Sequence, residues 1–505
     1  MHFIKKSILS FTAVASVSAL NAQDYPNIVV FLVDDMGLMD TSVPFAVDNN
    51  GNPAQYPLND WYQTPHMEKL ASQGIRFSTF YAQSVSSPTR ASLLTGQNAT
   101  RHRTTNWINS ESNNRTPYGP LKWNWEGLTS SVKTYPSLLK KAGYKTIHVG
   151  KAHFGSNNTE GEDPTQLGFD VNIAGSSIGQ PGSYYGVHGY GSIKGQIHRA
   201  VPDLEEYHGT DTFLTDALTL EANKAIEETV KADKPFFLNM SHYAVHAPFE
   251  PDSRFIENYP EGQKNNQARA FATLIEGMDK SLGDIMIKLE ELDVAENTLI
   301  LFLGDNGGDA PLGGPSDYGS SAPFKGKKGS EYEGGSRVPF IACWAKPASQ
   351  NKFQKNYPIA QNKIQTQMGT IMDIYPTVLS AAGIALPEDH ILDGKDLKKL
   401  LKGQKDEKHP DYFLLHFPHE HRGSYFTTYR KGDWKLIYYY NPQKDGVPSH
   451  KLYNLKTDPF EKEDVSTSNP KKLAALCELM IEQLDKDDAL YPVDEDMQTI
   501  YPVIP

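Results

Sequence analysis

Cysteine is nearly absent: Cys343 and Cys477 are the only two in 505 residues. That excludes a disulfide framework and a cysteine-built metal cluster. No stretch offers the roughly 18 consecutive apolar residues of a membrane-spanning helix, so no membrane anchor is expected. An excess of base is missing too. Lys and Arg total 49 against 61 Asp and Glu, a formal charge of −12, which weighs against a nucleic-acid or anionic-membrane partner. Apolar residues are not scarce: 38% hydrophobic against 22% charged describes a globular chain, not a disordered one. The length suffices for a sizeable core.

What is present begins with a leader pattern. His2, Lys5 and Lys6 precede an apolar, small-residue run from Ile8 to Leu20, and Asn21-Ala22 offers a cleavage site. Residues 1–22 therefore read as a secretory signal peptide. The mature chain is expected to cross the inner membrane and, in a bacterium, to reside in the periplasm. Beyond it, continuous apolar runs bounded by turn residues read as buried strands: Ile28–Val33, Lys145–Val149, Pro235–Met240, Thr298–Leu303 and Val338–Trp344. Helical patterns lie between them, at Thr215–Val230 and Asn266–Glu291. This alternation predicts an α/β domain with a large, mostly parallel mixed sheet sandwiched by helices, residues 23–405. Long Gly/Asn/Ser/Pro-rich inserts, Val43–Pro57, Asn106–Gly127 and Gly155–Gly195, exceed ordinary connections and are candidates to shape a site. From 406 to 505 three strand patterns (Tyr412–Phe417, Tyr425–Arg430, Trp434–Tyr440) precede an amphipathic helix, Pro470–Asp487. They predict a smaller C-terminal α+β subdomain with an antiparallel sheet.

Four predicted strands run into reactive residues. Ile28–Val33 meets Asp34-Asp35, and Thr298–Leu303 meets Asp305-Asn306 after Gly304. Lys145–Val149 leads to Lys151 and His153, and Pro235–Met240 to His242 and His246. Open parallel sheets bind ligands outside the carboxyl ends of their strands. Asp34, Asp35, Asp305 and Asn306 offer only oxygen, which suits a hard cation such as Ca²⁺ or Mg²⁺ over zinc. Each pair alone would equally serve as a turn or cap. Ser86-Ser87-Pro88-Thr89-Arg90 reads as a helix start, capped by Ser86 or Ser87, with Pro88 in the first turn. Its free N–H groups and dipole favour an anion or a polarised nucleophile.

These segments together resemble the type I sulfatases of the alkaline phosphatase superfamily, in their bacterial Ser-type, carbohydrate-acting form. Ser86-x-Pro88-x-Arg90 with Leu94-Thr95-Gly96 resembles the signature. Asp34-Asp35-Met36-Gly37 and Asp305-Asn306-Gly307-Gly308 resemble the metal motifs, and Gly150-Lys151-Ala152-His153 the Gly-Lys-x-His segment. Lys328-Gly329 with Glu333-Gly334-Gly335-Ser336-Arg337-Val338-Pro339 and Leu452-Tyr453-Asn454-Leu455 resemble later blocks. The resemblance implies that Ser86 is oxidised to formylglycine by a sulfatase-maturing enzyme, and that the aldehyde hydrate attacks sulfur. It implies a Ca²⁺ (Mg²⁺ possible) held by Asp34, Asp35, Asp305 and Asn306, which also binds residue 86. Arg90 would orient the hydrate and Lys151 hold a sulfate oxygen, with Lys328 near the bridging oxygen. His246, alone or with Lys328, would be the general acid for the leaving alkoxide, and His153 the base that regenerates the aldehyde. Glu333-Gly334-Gly335 is expected to be a turn that supports Lys328.

The expected substrate is a sulfated saccharide, with galactose- or N-acetylgalactosamine-type sulfate and exo action preferred. Candidate sugar contacts are Arg101, His102, His419 and His421. Trp107, Trp123 and Trp125, in a chain with 26 tyrosines, would suit stacking on sugars or packing. Two rivals stand beside this reading. One is a two-zinc phosphohydrolase of the same superfamily, against which Asn306 argues. The other is a non-catalytic glycan-binding relative, against which the intact polar set argues.

Overall fold

The computed structural model describes residues 25–48, 50–313, 319–443 and 448–505. The expected signal peptide, 1–22, lies outside them. Twelve strands carry the architecture: β1 (Asn27–Val33), β2 (Ile75–Phe77), β3 (Lys145–Gly150), β4 (Val171–Ile173), β5 (Phe236–Ser241), β6 (Thr298–Gly304), β7 (Phe340–Trp344), β8 (Lys363–Gln365), β9 (Tyr412–Glu420), β10 (Ser424–Lys431), β11 (Trp434–Tyr439) and β12 (Ser449–Asn454). The first eight form one sheet, ordered β4-β3-β5-β1-β6-β7-β2-β8. All run parallel except β7, which is antiparallel to both β6 and β2.

The central strands β1, β5 and β6 are buried at every position and mostly apolar because both faces are covered. In β1, Val29, Phe31 and Val33 face one core, while Ile28, Val30 and Leu32 face the other, as the period of two requires. The first core is closed by α2 (Leu214–Lys231) and α3 (Asn266–Glu291), the second by the shorter α1 (Ser86–Thr95). The antiparallel sheet β9-β10-β11-β12 packs against α4 (Pro470–Lys486) through Leu436, Tyr438, Leu452, Leu476 and Met480. Strand β12 is absent from the sequence expectation. Its first three residues are only partly buried or exposed, so no continuous apolar run marks it.

Register gathers the chemistry at one edge. Val33 pairs with Gly304, which sets Asp34 beside Asp305. Leu32 and Gly150 both pair with Ser241, so the β3 and β5 exits lie next to the β1 exit. The loops leaving β1 and β6 then touch: a Cβ on Gly37 would come within 2.5 Å of the Gly308 nitrogen. Glycine at both positions is therefore a packing requirement of the two acidic loops.

Candidate active site

Helix α1 delivers residue 86. Its N-cap is Val85, in extended conformation, and no side chain caps it. The serines expected as caps are used otherwise: the Ser87 hydroxyl accepts from the Ile108 N–H at 3.0 Å, and Ser86 turns its hydroxyl toward the acidic loops. The helix ends at Gly96, with φ +66°, the left-handed stop that favours glycine. Ser86 Oγ lies 3.1 Å from Asp34 Oδ1, 3.2 Å from Asn306 Oδ1 and 3.1 Å from Lys151 Nζ.

Around this hydroxyl three acids and three bases are interleaved. Lys151 Nζ donates to Asp34 Oδ2 at 2.7 Å. Lys328 Nζ lies 2.7 Å from Asp35 Oδ1 and 2.8 Å from its Oδ2. The Arg90 guanidinium lies against Asp305, with Nε 3.0 Å from Oδ2, and donates to the Lys151 carbonyl at 2.7 Å and to Ser241 Oγ at 2.8 Å. Burial and the neighbouring Asp305 and Asp35 carboxylates push Asp34 up to about 8 against the pull of Lys151. Burial works against Asp35 as well, but His246, Lys328 and Lys151 hold it well below the usual carboxylate range.

Ligand atoms of Asp34, Asp35 and Asp305 all lie within 4.8 Å of one another. Buried carboxylates this close repel unless positive charge joins them, and Asp34 records that penalty. The donors are oxygens, and Asn306 Oδ1 is turned toward Ser86 in the same cluster. The set therefore fits a hard divalent cation.

Two histidines stand beside the cluster in opposite tautomers. His246 Nδ1 is 3.0 Å from the Ala247 carbonyl, which can only accept, so Nδ1 carries the proton and Nε2, 3.5 Å from Asp35 Oδ2, is the exchangeable position. His153 is reversed. Its Nε2–H donates to the Ile108 carbonyl at 2.7 Å, leaving Nδ1 buried and, among the described residues, without a partner. Burial lowers both rings, His246 to about 4.

Ser86, Lys151, His153, His246 and Lys328 line one cleft of about 500 Å³. Its walls come from the inserts that exceed ordinary connections, through Trp107, Glu111 and Gln180, and from His198 and Arg199 just beyond them. The C-terminal subdomain contributes His421 and Arg422. Among the described residues the buried His421 Nε2 has no hydrogen-bond partner, and Arg422 grips Asp309 with both terminal nitrogens. No motif marks Asp309 or Arg199. Arg422 adjoins the histidine cluster, but only its pairing with Asp309, from the β6 loop, places it here.

The remaining expected sugar contacts do not line this cleft. Arg101 is held by Asp393 at 2.8 Å and by Asp487, at the end of α4, at 2.7 Å. His102 Nε2 pairs with Ser92 Oγ at 3.0 Å, and its Nδ1 accepts from the Thr104 N–H. His419 is fully buried, 2.8 Å from Thr105 Oγ1 and edge-on to Trp123. Each is engaged inside the fold, though among the described residues His419 Nδ1 has no hydrogen-bond partner, and Trp123 packs there with them. Arg101→Ala should accordingly cost about 1.5–3 kcal/mol of stability, seen as a lower urea midpoint, without raising KM for a sulfate ester. Glu333-Gly334-Gly335 forms the expected turn, with the Gly334 N–H on the Lys325 carbonyl at 2.7 Å, and the Glu333 carboxylate pairs with Lys435 of β11.

The sulfatase family profile matches residues 26–384, and that of the N-sulphoglucosamine sulphohydrolase C-terminal region matches 331–489. The N-acetylgalactosamine-6-sulfatase of Mus musculus is 31% identical over 421 residues, which is 81% of this chain and 72% of that protein. A sulfatase of Formosa agariphila is 28% identical, covering 92% of this chain and 88% of its own. The crystal structure of Ps i-CgsB in complex with k-i-k-neocarrahexaose superposes with a TM-score of 0.70 at 26% identity, covering 95% of both chains. Among the described residues no helix is long and apolar enough to cross a membrane. A profile that matches from the first strand past the reversed one, on a fold shared along almost the whole chain, leads to one conclusion: this chain belongs to the sulfatase family and is a sulfuric ester hydrolase.

Proposed function

We propose that the chain removes sulfate from a sulfated saccharide, acting from a chain end on a galactose- or N-acetylgalactosamine-type sulfate. The observation that carries this is Ser86 held between Asp34, Asn306 and Lys151 at the wall of a cleft that Lys328, His246 and His153 share. The saccharide and its type rest on the mouse relative's name and on the oligosaccharide in the Ps i-CgsB complex. We further propose export after loss of residues 1–22, a catalytic unit of 23–405 and a subdomain of 406–505.

Ca²⁺, held by Asp34, Asp35, Asp305 and Asn306, supplies positive charge against an anion that gains negative charge during reaction. Formylglycine, made from Ser86 by a maturing enzyme, supplies as its hydrate the nucleophile toward sulfur. The chain's own residues do the rest. Arg90, fixed by three hydrogen-bond partners, keeps a permanent charge one turn into α1. Lys151 and Lys328 bring ammonium groups to the sulfate oxygens and to the bridging oxygen. His246, once it has taken up a proton at Nε2, delivers that proton to the leaving alkoxide, since its Nδ1–H is committed to Ala247. His153 accepts a proton at Nδ1, since its Nε2–H is committed to Ile108.

The test is a panel of sulfated mono- and oligosaccharides, using protein whose residue-86 peptide shows by mass the loss of two hydrogens. Sulfate release that is lost on chelation and restored by Ca²⁺ is expected. Two zincs per chain, with full activity before maturation, would sink the reading.

A further inference from the structure

We propose that Arg199 forms a second anion subsite, so that the preferred substrate is a saccharide carrying another negative charge, carboxylate or sulfate, beside the scissile sulfate. This rests on the saccharide reading above and narrows its substrate class. Arg199 lines the same cleft as Lys151 and Lys328. Those two ammonium groups are already paired, with Asp34 and Asp35. Arg422, the other guanidinium of the cleft, is spent on Asp309. The Arg199 side chain is exposed and forms no hydrogen bond or ion pair among the described residues. It is therefore the cleft's uncommitted permanent cation, in a chain whose formal charge is −12.

Its backbone is anchored. The Gly182 N–H donates to the Arg199 carbonyl at 2.9 Å, and the Arg199 N–H donates to Gln196 at 2.8 Å. Gly182 in turn packs so closely on Gly191 that a Cβ there would lie 2.8 Å from its Cα. A guanidinium presented from a fixed turn matches the paired oxygens of a carboxylate or sulfate. Glu111, on the insert before β3, is the cleft's other uncommitted charge.

The test measures binding by calorimetry in the Ser86→Ala background, so that no turnover is needed. Three probes are compared: N-acetylgalactosamine 6-sulfate, its 4,6-disulfate, and a hexuronate-linked 6-sulfated disaccharide. At least one doubly charged probe is expected to bind about 10-fold or more tightly than the singly charged one. Whichever does so identifies the second group as sulfate or carboxylate. Arg199→Ala should collapse that ratio toward one. Equal binding of all three, or a ratio that survives Arg199→Ala, overturns the subsite while leaving the saccharide reading intact. Failure of every probe to bind removes the saccharide reading and the subsite with it.

Discussion

Ser86→Ala is expected to abolish sulfate release, by about 10⁴-fold or more in kcat, while the protein still folds and binds sulfated sugar. The Ser86 hydroxyl contacts Asp34, Asn306 and Lys151 and makes no cap to its own helix. Its removal therefore costs α1 nothing at its first turn, where alanine is a good helix former. The Lys151–Asp34 and Arg90–Asp305 pairs do not depend on it, so the charge pattern that receives sulfate survives. Chemistry and binding should separate cleanly: the urea midpoint and the affinity for a sulfated sugar stay near wild type while release stops. Sustained turnover by this variant would refute a nucleophile derived from residue 86.

The parts of this site visible in the sequence are those whose physics is local. Asp34-Asp35 and Asp305-Asn306 follow runs that had to be strands, because every residue of β1 and β6 is buried. Pro88, read as lying in the first turn of a helix, stands there in α1. Partner choice across long separations left no such trace. Arg101 and His419 carry the right chemistry in the right neighbourhood, yet Asp487 and Thr105 claim them. The arginine that does reach the cleft from the subdomain, Arg422, is placed by an aspartate 113 positions away. Residue type told which side chains could meet an anion, and the packing of remote segments decided which of them do.

That same long-range pairing gives the largest expected stability effect, at Glu333. Its Oε1 lies 3.0 Å from Lys435 Nζ, and its Oε2 accepts from the Tyr81 hydroxyl at 2.6 Å, with Arg337 at 3.5 Å and Arg430 at 3.9 Å. Burial raises the Glu333 carboxyl, but Lys435, Arg430 and Arg337 outweigh it and bring it down to about 2. Its stabilisation is thus present above the unfolded carboxyl range and fades as pH falls toward 2. Glu333→Ala leaves buried cations with only Glu461, which Lys435 also contacts at 2.8 Å. The expected cost is about 3–5 kcal/mol, read from urea unfolding at neutral pH. Lys435→Met in the same chain should recover part of it, since the orphaned ammonium is then gone. Activity should fall too, through position and not contact. The Gly334 N–H bonds the Lys325 carbonyl at 2.7 Å, and Lys328 bonds Gly308 through its own N–H at 3.1 Å, so the turn that begins at Glu333 helps fix the loop that aims Lys328 at Asp35. A Glu333→Ala protein of wild-type stability would show that the joint between sheet and subdomain is held by apolar packing alone.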